Sequence, residues 1–449
     1  MQRSLFSAVS GLRNHQTAMD VIGNNISNVN TTAFKAGRAT FKESFSQILN
    51  GASRPSDTSG GVNPLEVGLG MQLASVDTVF TQGNLENTGV TTDMAVQGNS
   101  FFVVNQGSST FYTRAGNFQP DADGKLVSPT NGSVLQGRMA TNGVLNDKLT
   151  DIMIPQGQTT PAKASTRVTM AGNFDSSANV ITAADPSNPT AAELADPANA
   201  HSVTHMTLPS GVYDSLGLSH DMTLVAWKVS PTQWDFKVDP TNVNYDNTKA
   251  YSFGPGAQSS PAAATTPWQF TFNADGTINT ASSNIPKVTF TPPGNGNAVS
   301  LTFDPGSGAT GLTSYVGGTS AVLRDQDGYA AGVMTGFTIG RDGTIVGSFS
   351  NGTNETLGQV ALADFNNPEG LEQVGDNMYT ISANSGSPVI GYSGRETSST
   401  IASGSLEMSN VDLAQEFTNM IITERGFQAN GKMITTSDEM LQTLISLRQ

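Results

Sequence analysis

The chain has 449 residues, of which 37% are hydrophobic and only 13% charged, with 47 glycines and a formal net charge of −15. That length exceeds what one core organises and implies two or three domains, while a composition rich in Gly, Asn, Thr and Ser suits short strands joined by tight turns. The negative charge argues against a nucleic-acid partner, the absence of cysteine excludes disulfides, thiol catalysis and Cys-ligated metals, and no apolar run is long enough for membrane insertion.

The first predicted element is a helix. Leu5, Val9, Leu12, Met19, Ile22, Ile26 and Val29 fall at three- and four-residue steps and form one apolar stripe. Arg13, Asn14, His15 and Asp20 interrupt that stripe too often for a cleavable signal. Asn24-Asn25 and the run 27–32, rich in cap and left-handed-turn formers, end it. Residues 33–75 read as a linker, most plainly at 50–64. Short alternating strands follow at 76–154 and again at 326–403, including 101–104 and 333–339. Asp123-Gly124, Asp275-Gly276, Asp342-Gly343 and Asn351-Gly352 mark hairpin turns. Between those stretches, 155–325 reads as a separate β-rich unit inserted into one interrupted β domain, with loops at 184–200 and 254–267.

The last predicted element is a second helix. Leu406, Leu413, Met420, Phe427, Ile434 and Leu441 recur every seven residues, with Ser409 and Asp412 as a capping box at its start. A second seam through Phe417 and Ile445 is interrupted by Asn410, Glu424, Gly431 and Asp438, which a strict two-stranded coiled coil tolerates poorly. The expected fold is therefore mixed but mainly β, and nested. Residues 1–32 and 404–449 form a coiled-coil-like helical assembly domain, 33–75 the linker, 76–154 and 326–403 the interrupted β domain, and 155–325 the outer β domain. An imperfect helix pair is marginal alone, so the terminal helices meet each other or find partners in other molecules, each end lacking a complete partner within the chain.

Several patterns imitate chemistry. Residues 426–432 have phosphate-loop spacing, but Met433 stands where a magnesium-binding Ser or Thr is needed. The glycines at 306, 308 and 311 are not followed by a helix opening. Asp121-Ala122-Asp123-Gly124 lacks the closing Glu of a calcium loop, Gly132 standing in its place. His201 and His205 lack the Glu of a zinc hydrolase, Ser202 occupying that position. No catalytic residue, cofactor or metal is expected.

The segments Gly23-Asn24-Asn25-Ile26-Ser27-Asn28, Thr32-Ala33-Phe34-Lys35, Thr81-Gln82-Gly83-Asn84-Leu85, Tyr112-Thr113-Arg114-Ala115-Gly116-Asn117-Phe118, Gly404-Ser405-Leu406-Glu407 and Ser409-Asn410-Val411-Asp412-Leu413 resemble signatures of the flagellar rod and hook axial protein family. The match covers roughly the first 140 and last 120 residues. The insertion, with Val212-Tyr213-Asp214-Ser215-Leu216-Gly217 and the stretch 325–332, is similar to its hook-protein branch. Residues 35–68 are longer than in the best-known hook proteins and resemble the distal rod subunit, the alternative within the family. A monomeric secreted adhesin or glycan-active enzyme is the alternative outside it.

The resemblance implies a structural subunit, not an enzyme, that polymerises into a curved tube carrying motor torque to the filament. It implies assembly through Leu5, Val9, Leu12, Met19, Ile26, Leu406, Leu413, Phe417, Met420, Phe427, Ile434 and Leu441. The implied partners are other copies of the chain, the flagellar rod, hook cap and hook–filament junction proteins, and the type III export apparatus. The implied location is the extracellular hook segment, reached without a cleaved signal. Phe41 and Phe45, in Phe-Lys-Glu-Ser-Phe, match a short export-gate motif of rod and hook subunits.

Overall fold

The computed structural model describes residues 2–446 apart from 53, 55–59, 156, 187–188, 239–251, 254–267, 286, 292–296 and 395. The loop expected at 254–267 lies outside the described residues. The chain divides into two compact units, one formed by 1–156, 336–348 and 354–449, the other by 157–335 and 349–353. Its α-helices among the described residues are α1 (Gln2–Ser27), the single turn α2 (Ala191–Leu194) and α3 (Leu413–Ser446).

In the first unit, α1 ends where expected, but the left-handed residue lies beyond the Asn-rich run, at Ala33 with φ 58°. Its backbone N–H donates to the carbonyl of Glu407 at 2.7 Å, which holds a conformation that a Cβ disfavours. The stretch expected as linker is an antiparallel ribbon. Gly37–Glu43 pairs with Met71–Thr78, and Ser46–Asn50 pairs with Leu65–Gly68. The outer pair buries neither face, so the period-two alternation that reveals a strand is missing from the sequence. Side chains of α1 hold the ribbon by its backbone. Asn25 donates to the Gly37 carbonyl at 2.8 Å and accepts from the Gly37 N–H at 2.9 Å, and Asn14 donates to the Met71 carbonyl at 2.7 Å.

The sheet of this unit runs in the order Asn354–Asp364, Val134–Thr141, Phe101–Gln106, Ser109–Thr113, Met378–Thr380, Glu372–Gly375. Three strands from before the insertion are thus flanked in one sheet by strands from after it, tied by Leu362↔Phe102 and Met378↔Thr113. Phe101, Phe102, Val103 and Val104 are all fully buried, which only a central strand covered on both faces permits. Phe101 packs edge-on to Phe80 at 5.4 Å on one face, and Phe102 to Phe118 at 5.5 Å on the other. The turn at Asp123-Gly124 puts Gly124 at φ 82°, and the Asp121 carboxylate accepts from the N–H groups of Asp123 and Lys125. Asp121 is therefore a turn-forming residue.

The second unit packs two sheets around one core. One runs Ser252–Phe253, Lys287–Thr291, Val299–Asp304, Arg167–Asn173, Leu312–Thr313, and the other Val203–Thr207, Thr223–Ser230, Gln233–Val238, Gln269–Thr271. A single apolar cluster joins Val168, Met170 and Phe174 of the first side to Met206, Trp234, Phe236 and Phe270 of the second. Phe236 stacks on Phe270 at 4.2 Å. The stretch expected as a loop at 184–200 holds α2 and the 3-10 turn Pro197–Asn199. Entering and leaving segments are neighbours, with Thr159↔Val333 and Thr160↔Gly332 paired. At this neck the two hook-like segments meet. Ser165 accepts from the Tyr213 N–H at 2.9 Å and donates to Gln326 at 2.6 Å.

At the C-terminal end two expectations need correction. Leu406 lies in the strand Ser405–Glu407, paired with Leu85–Asn87, and takes no part in α3. Seven-residue spacing back from Leu413 carries across a strand because one apolar position coincides by number alone. The N-cap is Asp412, whose carboxylate accepts from the N–H groups of Ala414 and Gln415. Ser409 instead accepts from the Val411 N–H before the helix begins.

Candidate functional site

The two terminal helices pair with each other in an antiparallel sense. A Cβ built on Gly11 would lie 2.7 Å from Asn430 Nδ2, and one built on Gly426 would lie 2.7 Å from His15 Cε1. Of the buried positions on the two helices, Ala8, Gly11 and Ala18 of α1 and Thr423 and Ser437 of α3 are small, Ile22 is a large apolar exception, and Asn25 is bonded to the ribbon. Small residues let the backbones approach closely, so the chain ends do have a partner within the chain.

The large apolar residues expected to form that seam stand beside it. Leu5, Val9, Leu12, Met19, Ile26, Met420, Ile434 and Leu441 are only half-buried. Leu413 is exposed, Phe417 is 50% exposed and Phe427 37%. Ile421, Ile422, Met433, Met440, Leu444 and Ile445 of α3 and Phe6 of α1 also face outward. Apolar periodicity thus marks a flank that the partner helix covers incompletely, leaving large apolar side chains exposed along the pair. Phe41 and Phe45 belong to the ribbon. Phe41 lines a cleft of about 380 Å³ with Val21, Ile22, Val79 and Ile422, and Phe45 is 73% exposed at the ribbon's bend.

The roots of both helices meet at a buried charge cluster. Lys35, just after α1, has its ammonium 2.7 Å from Glu407 Oε1, with both side chains fully buried. Glu407 is six residues ahead of Leu413, where α3 begins. Arg114, at the end of the strand Ser109–Thr113, places Nη1 3.6 Å from Glu407 Oε2 and its guanidinium 4.9 Å from the centre of the Phe101 ring. Lys35 also donates to the Thr81 carbonyl at 2.7 Å, and the Gly83 N–H to Glu407 Oε1 at 2.9 Å. Asn410 completes the knot by accepting from the Ala36 N–H and donating to the Val79 carbonyl.

Burial pushes Lys35 and Arg114 below their ordinary pKa values, and the Glu407 carboxylate opposes this in both. Removing one partner of such a buried pair costs about 3–5 kcal/mol, because it strands the other charge. Periodicity and spacing did not single out these residues. A signal was present, however, since Lys35, Arg114, Glu407 and Asn410 are polar members of the signature segments in a chain poor in charge. Among the described residues no group of His, Asp and Glu could hold a metal ion, and no helix is long and apolar enough to cross a membrane. Gly426 to Lys432 lie within α3.

Four family profiles match in chain order. They are Flagella basal body rod protein (5–35), Flagellar hook protein FlgE/F/G D1 domain (95–180), Flagellar basal body protein FlaE D2 domain (173–329) and Flagellar basal body rod FlgEFG protein C-terminal (402–447). The flagellar hook protein FlgE of Borreliella burgdorferi is 41% identical over 100% of both chains. That of Escherichia coli is 34% identical over 98% of this chain and 99% of its own. The flagellar basal-body rod protein FlgG of Bacillus subtilis also aligns over 100% of both chains, but at 26% identity. A crystal structure of the Helicobacter pylori hook protein FlgE2 covers 72% of this chain at TM-score 0.49 and 18% identity. The chain belongs to the flagellar hook protein FlgE family.

Proposed function

We infer that the chain is a structural subunit of the bacterial flagellar hook, polymerising into a flexible curved tube that carries motor torque to the filament. The observation that carries this reading is the helix pair at the chain ends. It is closed by a small-residue seam while Phe417, Ile421, Ile422, Met433, Met440 and Leu444 stay exposed. An isolated subunit gains nothing from that surface, whereas a polymer buries it against its neighbours. In this reading the helices line the tube, and the unit inserted between the two halves of the sheet forms its outer layer. The subunit reaches the growing tip unfolded through the type III export apparatus, without a cleaved signal, and Phe41 with Phe45 engages the export gate. Rod, hook cap and hook–filament junction proteins are its neighbours. Catalysis has no place in this role.

Phe427→Asp tests the reading. A carboxylate buried in the polymer interface costs several kcal/mol, whereas at a position 37% exposed in the free subunit it is tolerated. Purified wild-type protein is expected to form tubes in negative-stain images and the variant to remain a folded monomer. Normal tubes from the variant would remove this face from the interface.

A further inference from the structure

We infer that Glu407 is a positioning residue that couples the two chain ends, locking the roots of α1 and α3 to the sheet of the first unit through one shared negative charge. Three segments far apart in sequence each contribute one ionisable group to the knot. Lys35 comes from the N-terminal end, Glu407 from the C-terminal end and Arg114 from the sheet. Two cations share one anion, and none of the three side chains is more than 1% exposed. Water cannot take over for a missing partner. If the C-terminal segment leaves, Lys35 and Arg114 remain as two like charges in a closed site. If the N-terminal segment leaves, Glu407 loses its closest cation.

The backbone around the knot has little slack. The N–H of Ala33 donates to the Glu407 carbonyl and that of Met408 to the Asn84 carbonyl, so the N-terminal segment is stitched to the C-terminal strand and the residue after that strand to Asn84. A Cβ on Gly83 would lie 2.1 Å from the Met408 carbonyl oxygen, so 83 admits no side chain while the C-terminal strand is docked. Arg114 Nε and Nη1 and Glu407 Oε2 have no hydrogen-bond partner among the described residues. Arg114 is therefore held by the Glu407 charge and by the Phe101 ring, and the first of these is lost when Glu407 leaves. Docking of one end is in this way a condition for docking the other. Helix pair and sheet then move as one piece. The coupling concerns the free subunit, and only its consequence, force passing from sheet to helices without play, rests on the hook reading.

The test is amide hydrogen exchange read by mass spectrometry on the full-length monomer at concentrations below assembly. The variants are Glu407→Gln, Lys35→Met and the two combined. Glu407→Gln is expected to accelerate exchange at least tenfold in both chain ends, at 29–36 and 408–414 and along α1 and α3, with the strand Phe101–Gln106 unchanged. Lys35→Met, which keeps the Glu407–Arg114 pair, should loosen both ends by a smaller factor, and it serves alone if Glu407→Gln does not fold. The double variant should exchange more slowly than the product of the single effects, because it removes one of the stranded cations. Loosening confined to the mutated end would overturn the coupling. So would equal loosening of Phe101–Gln106, or single effects that simply multiply. Because no polymer is involved, these outcomes are independent of whether Phe427→Asp blocks assembly.

Discussion

The two terminal helices contain four glycines, and the geometry assigns them opposite responses to the same substitution. Glycine inside a helix is about 1 kcal/mol worse than alanine. A Cβ on Gly23 or Gly431 meets nothing within 4 Å, so Gly431→Ala should stabilise α3 by about 1 kcal/mol. At Gly426 the new methyl carbon would lie 2.7 Å from the His15 ring, and at Gly11 2.7 Å from the Asn430 amide. No real contact is that short, so a side chain or a helix must shift. Overpacking of this kind costs about 1–3 kcal/mol, which outweighs the propensity gain and leaves a net loss of up to about 2 kcal/mol. Amide exchange of α1 and α3 in the free subunit reads both signs, about fivefold slower for each kcal/mol gained. Gly431→Ala should slow exchange in α3, and Gly426→Ala should accelerate it in both helices. Adding His15→Ala to Gly426→Ala should recover most of the loss by vacating the space. If Gly426→Ala and Gly11→Ala stabilise as much as Gly431→Ala, the His15 and Asn430 side chains are not held in the space over these glycines.

Asp235 is buried with one carboxylate oxygen on Gln233 and the other without a hydrogen-bond partner among the described residues, and burial, against the Gln233 bond, pushes its carboxyl from 3.8 up to about 6. The folded unit therefore keeps that proton longer than the unfolded chain does. The group's contribution to stability is full below about pH 4 and declines as pH rises through 6, by about 3 kcal/mol in all. Asp235→Asn should raise the urea midpoint at pH 7.5 and change it little at pH 4, read by the fluorescence of Trp227, Trp234 and Trp268, all in the second unit; equal effects at both pH values would refute the assignment. Phe41→Ala with Phe45→Ala should reduce secretion and leave polymerisation of purified protein intact, and normal secretion would end the export-motif proposal. Because Thr160 and Gly332 are paired neighbours, a short Gly-Ser linker in place of 161–331 should leave a subunit that still polymerises, but into straight tubes. Curved tubes of wild-type pitch would show that the second unit does not govern bending.

What the sequence by itself determined was local or compositional. The apolar steps of Leu5 to Ile26 and of Leu413 to Leu441 announce two helices because the 3.6-residue period is a property of the segment alone. The run Phe101 to Val104 announces a strand and Asp-Gly pairs announce hairpins for the same reason, but the alternation expected of that strand is absent, since all four side chains are buried in the middle of the sheet. The signature segments carried the family. Tertiary structure decided which faces meet. The seam runs through Ala8, Gly11, Gly426 and Ser437 because close approach of two backbones favours absence of bulk, which hydrophobic periodicity does not register. The ribbon at 37–78 exists because α1 holds its backbone through Asn14 and Asn25, a contact between distant segments that leaves no alternation in the strands themselves. Leu406 has the right spacing for a helix, yet its neighbour Glu407 is fastened to Lys35, and the strand pairing that brings them together excludes the helical conformation. A charge 372 positions away in sequence has no local signature, and only the folded chain places Lys35, Arg114 and Glu407 where each is the condition for burying the others.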